Sequence, residues 1–137
     1  MKVFISYSRD AAGLASHLAE VLEDAGFDTW LPERDTVPGE NLFARMGEAL
    51  ESASAMVILF TPASADSPWV QREIEYALGN ERFKGRVVPV LVGTKTQSVS
   101  ARIPWILKRL SPGMIELPRK STKRQLRKVA DVLKAAA

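Results

Sequence analysis

Ala55-Met56-Val57-Ile58-Leu59-Phe60 is an unbroken apolar run, and Val3-Phe4-Ile5-Ser6-Tyr7 is a shorter one that begins almost at the N-terminus. Neither alternates apolar with polar side chains, so both read as strands buried on two faces rather than one. Such strands need helices on each side, and the flanking sequence supplies them. Asp10 is placed to cap a helix with Leu14, Leu18, Val21, Leu22 and Ala25 on one face, stopped by Gly26. Phe27 to Leu31 reads as a second strand and Pro32 to Glu40 as a polar loop. A helix follows from Asn41 to about Ala53, with Leu42, Met46, Ala49 and Leu50 facing inward. Thr61 to Asp66 reads as a loop, and Ser67-Pro68 opens another helix with serine at the cap and proline in the first turn. Arg86 to Val92 is a fourth strand, whose Pro89 argues against a fully central place. Gly93 to Leu110 reads as a loop with a short helix at Trp105 to Leu110. Met114 to Leu117 is a fifth strand, and a helix from about Ser121 carries Leu126, Val129 and Leu133.

Strands alternating with helices predict one α/β domain over residues 1–137. The expected architecture is a five-stranded, flavodoxin-like parallel sheet in the order 2-1-3-4-5, with helices on both faces. Its functional crevice should lie at the C-terminal ends of the strands, where the order reverses.

Composition narrows the chemistry. The chain of 137 residues has no cysteine and one histidine, so disulfides, thiolate metal sites, cysteine nucleophiles and multi-histidine zinc sites are excluded as expectations. No apolar run approaches the roughly 20 residues that span a bilayer, and no signal peptide is legible before Val3. The expectation is a soluble cytoplasmic domain without a membrane partner. The net charge of +3 divides unevenly, with 12 basic and 15 acidic residues up to position 117 and 7 basic against one acidic after it. The basicity belongs to the last helix, where Lys120, Lys123, Arg127 and Lys134 lie opposite the apolar stripe. No aromatic residues interleave with them, so nucleic acid is not an expected partner.

The crevice segments exclude several common functions of such a sheet. The ends of strands 1 and 3 read Ser6-Tyr7-Ser8 and Phe60-Thr61, without the acidic cluster of a phosphate-accepting receiver. No P-loop follows strand 1, Gly93-Thr94-Lys95-Thr96 has the wrong spacing and place, and no dinucleotide fingerprint occurs. The helix after strand 3 is more informative. Val70, Ile74, Ala77 and Leu78 make its core stripe, while Trp69, Glu73 and Tyr76 form a second stripe beside it. No cation stands three or four residues from Glu73 to make it a surface ion pair. Most helix carboxylates are merely solvated, but one beside an aromatic wall can stabilise an oxocarbenium-like sugar cation. Trp30 reads as core, and His17, beside the stripe of the first helix, as structural or surface.

Three segments then resemble a known family. Val3-Phe4-Ile5-Ser6-Tyr7-Ser8 resembles the first box of Toll/interleukin-1 receptor (TIR) domains, and Arg34-Asp35-Thr36-Val37-Pro38-Gly39 resembles their second, the BB loop. Ser67-Pro68-Trp69-Val70-Gln71-Arg72-Glu73-Ile74 is similar to the Ser-x-Trp-x-x-x-Glu segment of members that cleave NAD. The resemblance implies an NAD+ nucleosidase of bacterial-immunity type, releasing nicotinamide and either ADP-ribose or cyclic ADP-ribose. It implies Glu73 as catalytic, with Tyr7, Ser8, Leu42 and Trp69 against the substrate. Arg34, Asp35, Pro38 and Gly39 would shape the pocket and mediate self-association or contact with another TIR-containing partner. NAD+ enters as substrate, and no metal or other cofactor is implied, because a pyridinium leaves without general-acid help. Two departures stand out. Leu42 occupies a position that is often aromatic, which would weaken catalysis or change the product if that ring stacks on substrate, and Pro104-Trp105 is the nearest match to the third box. The other readings are a non-catalytic scaffold that signals through TIR–TIR contacts and, more distantly, a nucleoside deoxyribosyltransferase.

Overall fold

The computed structural model describes residues 1–39, 41–65, 67–93 and 115–136. The helix expected at 105–110 and the first residue of the fifth expected strand lie outside them. Five parallel strands form one sheet in the order β2-β1-β3-β4-β5, as expected: β1 Lys2–Ser6, β2 Asp28–Trp30, β3 Ala55–Phe60, β4 Val87–Val92 and β5 Ile115–Leu117. β1 is central, with Val3 opposite Thr29 on one side and opposite Ala55 on the other.

The continuous apolar runs are divided between two cores by the pleat. Val3 and Ile5 of β1, Val57 and Leu59 of β3, and Val88 and Val90 of β4 face one helical layer. Phe4, Met56, Ile58 and Leu91 face the other. Successive side chains point to opposite faces, so a strand buried on both sides has no polar positions. The first layer holds α1 (Ala12–Asp24) and α6 (Lys123–Ala136), and the second holds α3 (Leu42–Ser52) and α5 (Pro68–Leu78). Trp30 is core, as expected, and stacks on Phe4 at 5.1 Å between ring centroids.

Local sequence explains the helix ends. α1 stops at Gly26, whose φ of 96° is left-handed, with Gly26 N–H donating to Glu23 O and Phe27 N–H to Leu22 O at 3.0 Å. That pair of bonds is a Schellman motif, which glycine completes without a Cβ penalty. α6 starts with a reciprocal capping box, in which Gln125 N–H donates to Thr122 Oγ1 and Thr122 N–H to Gln125 Oε1.

Several expectations change. Asp10 does not cap α1: it sits inside a 3₁₀ turn, Arg9–Ala11, and no side chain caps the helix. The loop after β2 contains a helical turn, α2 (Pro32–Asp35), and the loop after β3 contains α4 (Pro62–Ala65). Each opens on a proline, whose fixed φ suits the first helical position. Four-residue turns are too short to show a helical period. Leu42, expected to face inward, is 42% exposed at the start of α3. Pro89 lies opposite Ile58 of β3, and the described pairs of β4 with β5 start one residue after it, at Val90. Among the described residues no helix is long and apolar enough to cross a membrane.

Candidate active site

β1 and β3 are neighbours, and the connection that leaves β1 runs through α1 on one face of the sheet while the one that leaves β3 runs through α5 on the other, so a crevice opens beyond Ser6. α3 and α5 wall this crevice on one side. Ser67 accepts a hydrogen bond from Val70 N–H and thereby starts α5, with Pro68 at the first turn. This entry sets the rotation of α5 so that Val70, Ile74 and Ala77 are buried against the sheet. Glu73 is buried with them and is only 6% exposed, so the two stripes expected from spacing merge at this residue.

Glu73 lines a cavity of about 260 Å³. Ser6, Tyr7 and Arg9 come to it from the end of β1, Leu42 and Met46 from α3, and Ser67 and Val70 from α5. Glu73 Oε2 and the facing Ser6 Oγ are both buried without a hydrogen-bond partner. Burial pushes the Glu73 pKa up to about 7, and the Ser6 hydroxyl pulls weakly the other way without completing an aligned hydrogen bond. A buried carboxyl without a partner costs stability, so a fold that keeps one stores free energy that a cationic ligand can recover. Arg9 faces the same cavity and makes no side-chain hydrogen bond or ion pair among the described residues.

The expected site residues separate into groups. Glu73, Tyr7 and Leu42 meet around the cavity. Trp69 belongs to the first turn of α5, but its side chain lies outside what the structure describes. Ser8 turns away, donating to Asp10 Oδ1 and lying 3.2 Å from Thr61 Oγ1. Arg34 and Asp35 do not line the cavity. Arg34 binds the Glu23 carboxylate at 3.0 Å, Asp35 at 2.9 Å and the Thr29 carbonyl at 2.9 Å. Asp35 also accepts from Leu31 N–H at 2.8 Å, so this network ties the loop to the ends of α1 and β2. Beyond it the chain is exposed at Pro38 and Gly39, where φ is 91°, and Val37 is 61% exposed.

Ser6, Arg9, Met46 and Ser67 complete the wall, though the sequence does not single them out as site residues. Two of them carry a legible signal: Arg9 directly follows Tyr7-Ser8 after the first strand, and Met46 stands one helical turn after Leu42. Among the described residues no three His, Cys, Asp or Glu side chains gather as metal ligands.

The TIR domain family matches this chain over residues 3–116. The stimulator of interferon genes protein of Magallana gigas is 32% identical over 93 residues, covering 66% of this chain and 22% of that protein. The 2′ cyclic ADP-D-ribose synthase BtTIR of Bacteroides thetaiotaomicron is 26% identical over 86 residues, covering 62% of this chain and 30% of that protein. The TIR domain of the Toll-related receptor TRR-2 from Hydra magnipapillata superposes with a TM-score of 0.69 at 17% identity, over 98% of this chain and 96% of that one. The chain thus spans less than a third of the length of the curated relatives it matches.

Proposed function

The chain belongs to the TIR domain family, and from that membership we propose that it is an NAD+ nucleosidase with Glu73 as its catalytic carboxylate. The observation that carries this reading is the buried, unpartnered Glu73 carboxyl in the crevice cavity. A structural carboxylate is normally hydrogen-bonded or paired. This one has the property wanted of a group that meets a transient cation.

In NAD+ the positive charge begins on the pyridinium ring. As the bond from ribose C1′ to nicotinamide nitrogen breaks, its electron pair stays with nitrogen, and the charge moves onto the ribose C1′ and ring oxygen. A carboxylate beside the ribose gains attraction as this happens, which makes its effect differential between ground and transition states. The dry surroundings of Glu73 strengthen that attraction. Water then adds to C1′ and gives up a proton, leaving ADP-ribose and nicotinamide. If a hydroxyl of the same molecule adds instead, the product is a cyclic ADP-ribose, the kind of product for which BtTIR is named.

At about 260 Å³ the cavity is below the roughly 300–1,000 Å³ of drug-sized ligand sites, so it suits the nicotinamide riboside end alone. Tyr7 and Trp69 are proposed to flank that end, with Ser8 at its margin and Leu42 at the mouth. Arg34 and Asp35 hold the base of the following loop, and Val37, Pro38 and Gly39 present its exposed apolar tip to a second copy or another TIR-containing chain. Exposed apolar side chains of that kind support self-association before turnover. We assign the chain to immune-type signalling in the cytoplasm on the same footing.

The test is nicotinamide release from NAD+ at high protein concentration, comparing the wild type with Glu73→Ala. Loss of release in the variant is the expected result. Equal rates would remove Glu73 from the chemistry, and no turnover by either form, even when crowded, would leave the domain as an assembly module.

A further inference from the structure

A second cavity, of about 360 Å³, opens on the other side of the Arg9–Ala11 turn, between α1 and the segment leading from β5 into α6. It is larger than the Glu73 cavity and falls within the size range of small-molecule sites. Its floor is apolar at Leu14 and Val92, and its rim carries His17, Arg119 and Lys120. None of its residues lines the Glu73 cavity.

The charges in this second cavity favour an anion. The Asp10 carboxylate is already occupied, accepting from Ser8, from Thr61 at 3.1 Å and from Arg119 Nη2 at 3.3 Å. Arg119 is half exposed and keeps further N–H donors beyond its bonds to Asp10. The side chains of Lys120 and His17 make no hydrogen bond or ion pair among the described residues. Lys123 and Arg124 continue the positive surface along the exposed first turn of α6.

Gly13 supplies an independent observation. It lies in the first turn of α1 without a positive φ, and a Cβ built on it would meet nothing within 4 Å. Neither backbone conformation nor packing therefore asks for glycine, which weakens a helix relative to alanine. Its effect is to keep the cavity open where no side chain caps α1, so that a ligand can approach the backbone and the positive end of the helix dipole.

We infer that this cavity is a second ligand site, for the phosphate of a mononucleotide-sized anion. The phosphate lies among Arg119, Lys120, His17 and the start of α1, and the rest of the molecule covers Leu14 and Val92. The inference does not rest on the nucleosidase reading, and neither fails with the other.

Titration of the ¹⁵N-labelled chain with AMP, adenosine and inorganic phosphate tests it by amide chemical shifts. AMP is expected to give saturable shifts at Gly13, His17, Lys120 and Ser121, with adenosine and inorganic phosphate binding at least about tenfold more weakly. The Arg119→Gln/Lys120→Gln pair should weaken AMP by at least about tenfold. Gly13→Leu should abolish AMP binding while raising the melting temperature, a combination that a purely structural role for Gly13 does not produce. Glu73→Gln should leave AMP binding unchanged. The inference is overturned if AMP gives no saturable shift at millimolar concentration, or shifts only Tyr7, Ser67 and Glu73. It is equally overturned if these variants bind AMP as the wild type does, or if inorganic phosphate binds as tightly as AMP.

Discussion

Asp10 and Glu73 are both carboxylates at the C-terminal edge of one sheet, on either side of the turn that follows β1, and their surroundings are opposite. Burial works to raise the Asp10 carboxyl, but hydrogen bonds from Ser8, Thr61 and Arg119, with the Arg119 charge, outweigh it and hold it below the ordinary range. Glu73 receives nothing comparable, and burial pushes it up to about 7. Asp10 is part of the scaffold that fixes the turn, together with Thr61 and Ser64, whose hydroxyl donates to Leu59 O at 3.0 Å. Glu73 is packed against the sheet with its Oε2 left without a hydrogen-bond partner among the described residues. The difference separates a carboxylate that stabilises the fold from one that the fold keeps available.

The two sites should therefore respond to pH with opposite slopes. The folded pKa of Glu73 lies above its reference of 4.5, so its contribution to stability is full below about 4.5 and is lost as pH rises through about 7. Glu73→Gln removes that loss. The variant should be more stable than the wild type by about 3 kcal/mol at pH 8, with the gap closing towards pH 4.5, as read by chemical denaturation across pH. A gap that does not depend on pH would break the comparison on the Glu73 side. Asp10 has the reverse sign, since its folded pKa is depressed: its contribution is present above the reference of 3.8 and is lost as pH falls through the folded value. Asp10→Ala should cost about 1–3 kcal/mol at pH 7 by leaving Thr61 and Arg119 without their acceptor, and less in acid. A variant as stable as the wild type at neutral pH would show that the turn is held by other means.

A smaller effect is expected at the mouth of the cavity. Leu42 is exposed at the first turn of α3 and lines the Glu73 cavity. An aromatic side chain there could stack on a bound nicotinamide, an interaction of about 0.5–1.5 kcal/mol. Leu42→Trp should raise kcat/KM for NAD+ by up to about tenfold without changing the pH at which the rate rises. A shift of that pH would mean that position 42 alters Glu73 itself. The smallest effect concerns Arg34, whose partners Glu23 and Asp35 are partly solvent-exposed. Arg34→Gln should cost no more than about 1 kcal/mol in thermal or chemical denaturation, and a larger loss would make this loop network part of the folding core.

The sheet is legible from sequence because burial on both faces leaves strands without polar positions, and β1 and β3 show this plainly. Glu73 is legible because no cation stands three or four residues from it, and among the described residues its Oε2 finds no hydrogen-bond partner from further away. What escapes is tertiary. Asp10 looks like an N-cap by its place before α1, yet its carboxylate is claimed by Thr61 and Arg119, far away in sequence. Leu42 fits the apolar period of α3, but it is the first residue of that helix and stands at the Glu73 cavity, where it stays 42% exposed. The second cavity joins Gly13 and His17 to Arg119 and Lys120, a meeting that no local pattern announces.

The claim that joins these observations is that Glu73 is kept unpaired for a cation, and the carboxyl group can be read directly. A ¹³C titration of the Glu73 side chain, alone and with a non-cleavable carbocyclic NAD+, is the measurement. A pKa of about 7 is expected in the free protein, falling when the pyridinium binds because an opposite charge favours the ionised form. A titration near 4.5 that the analogue does not move would contradict it.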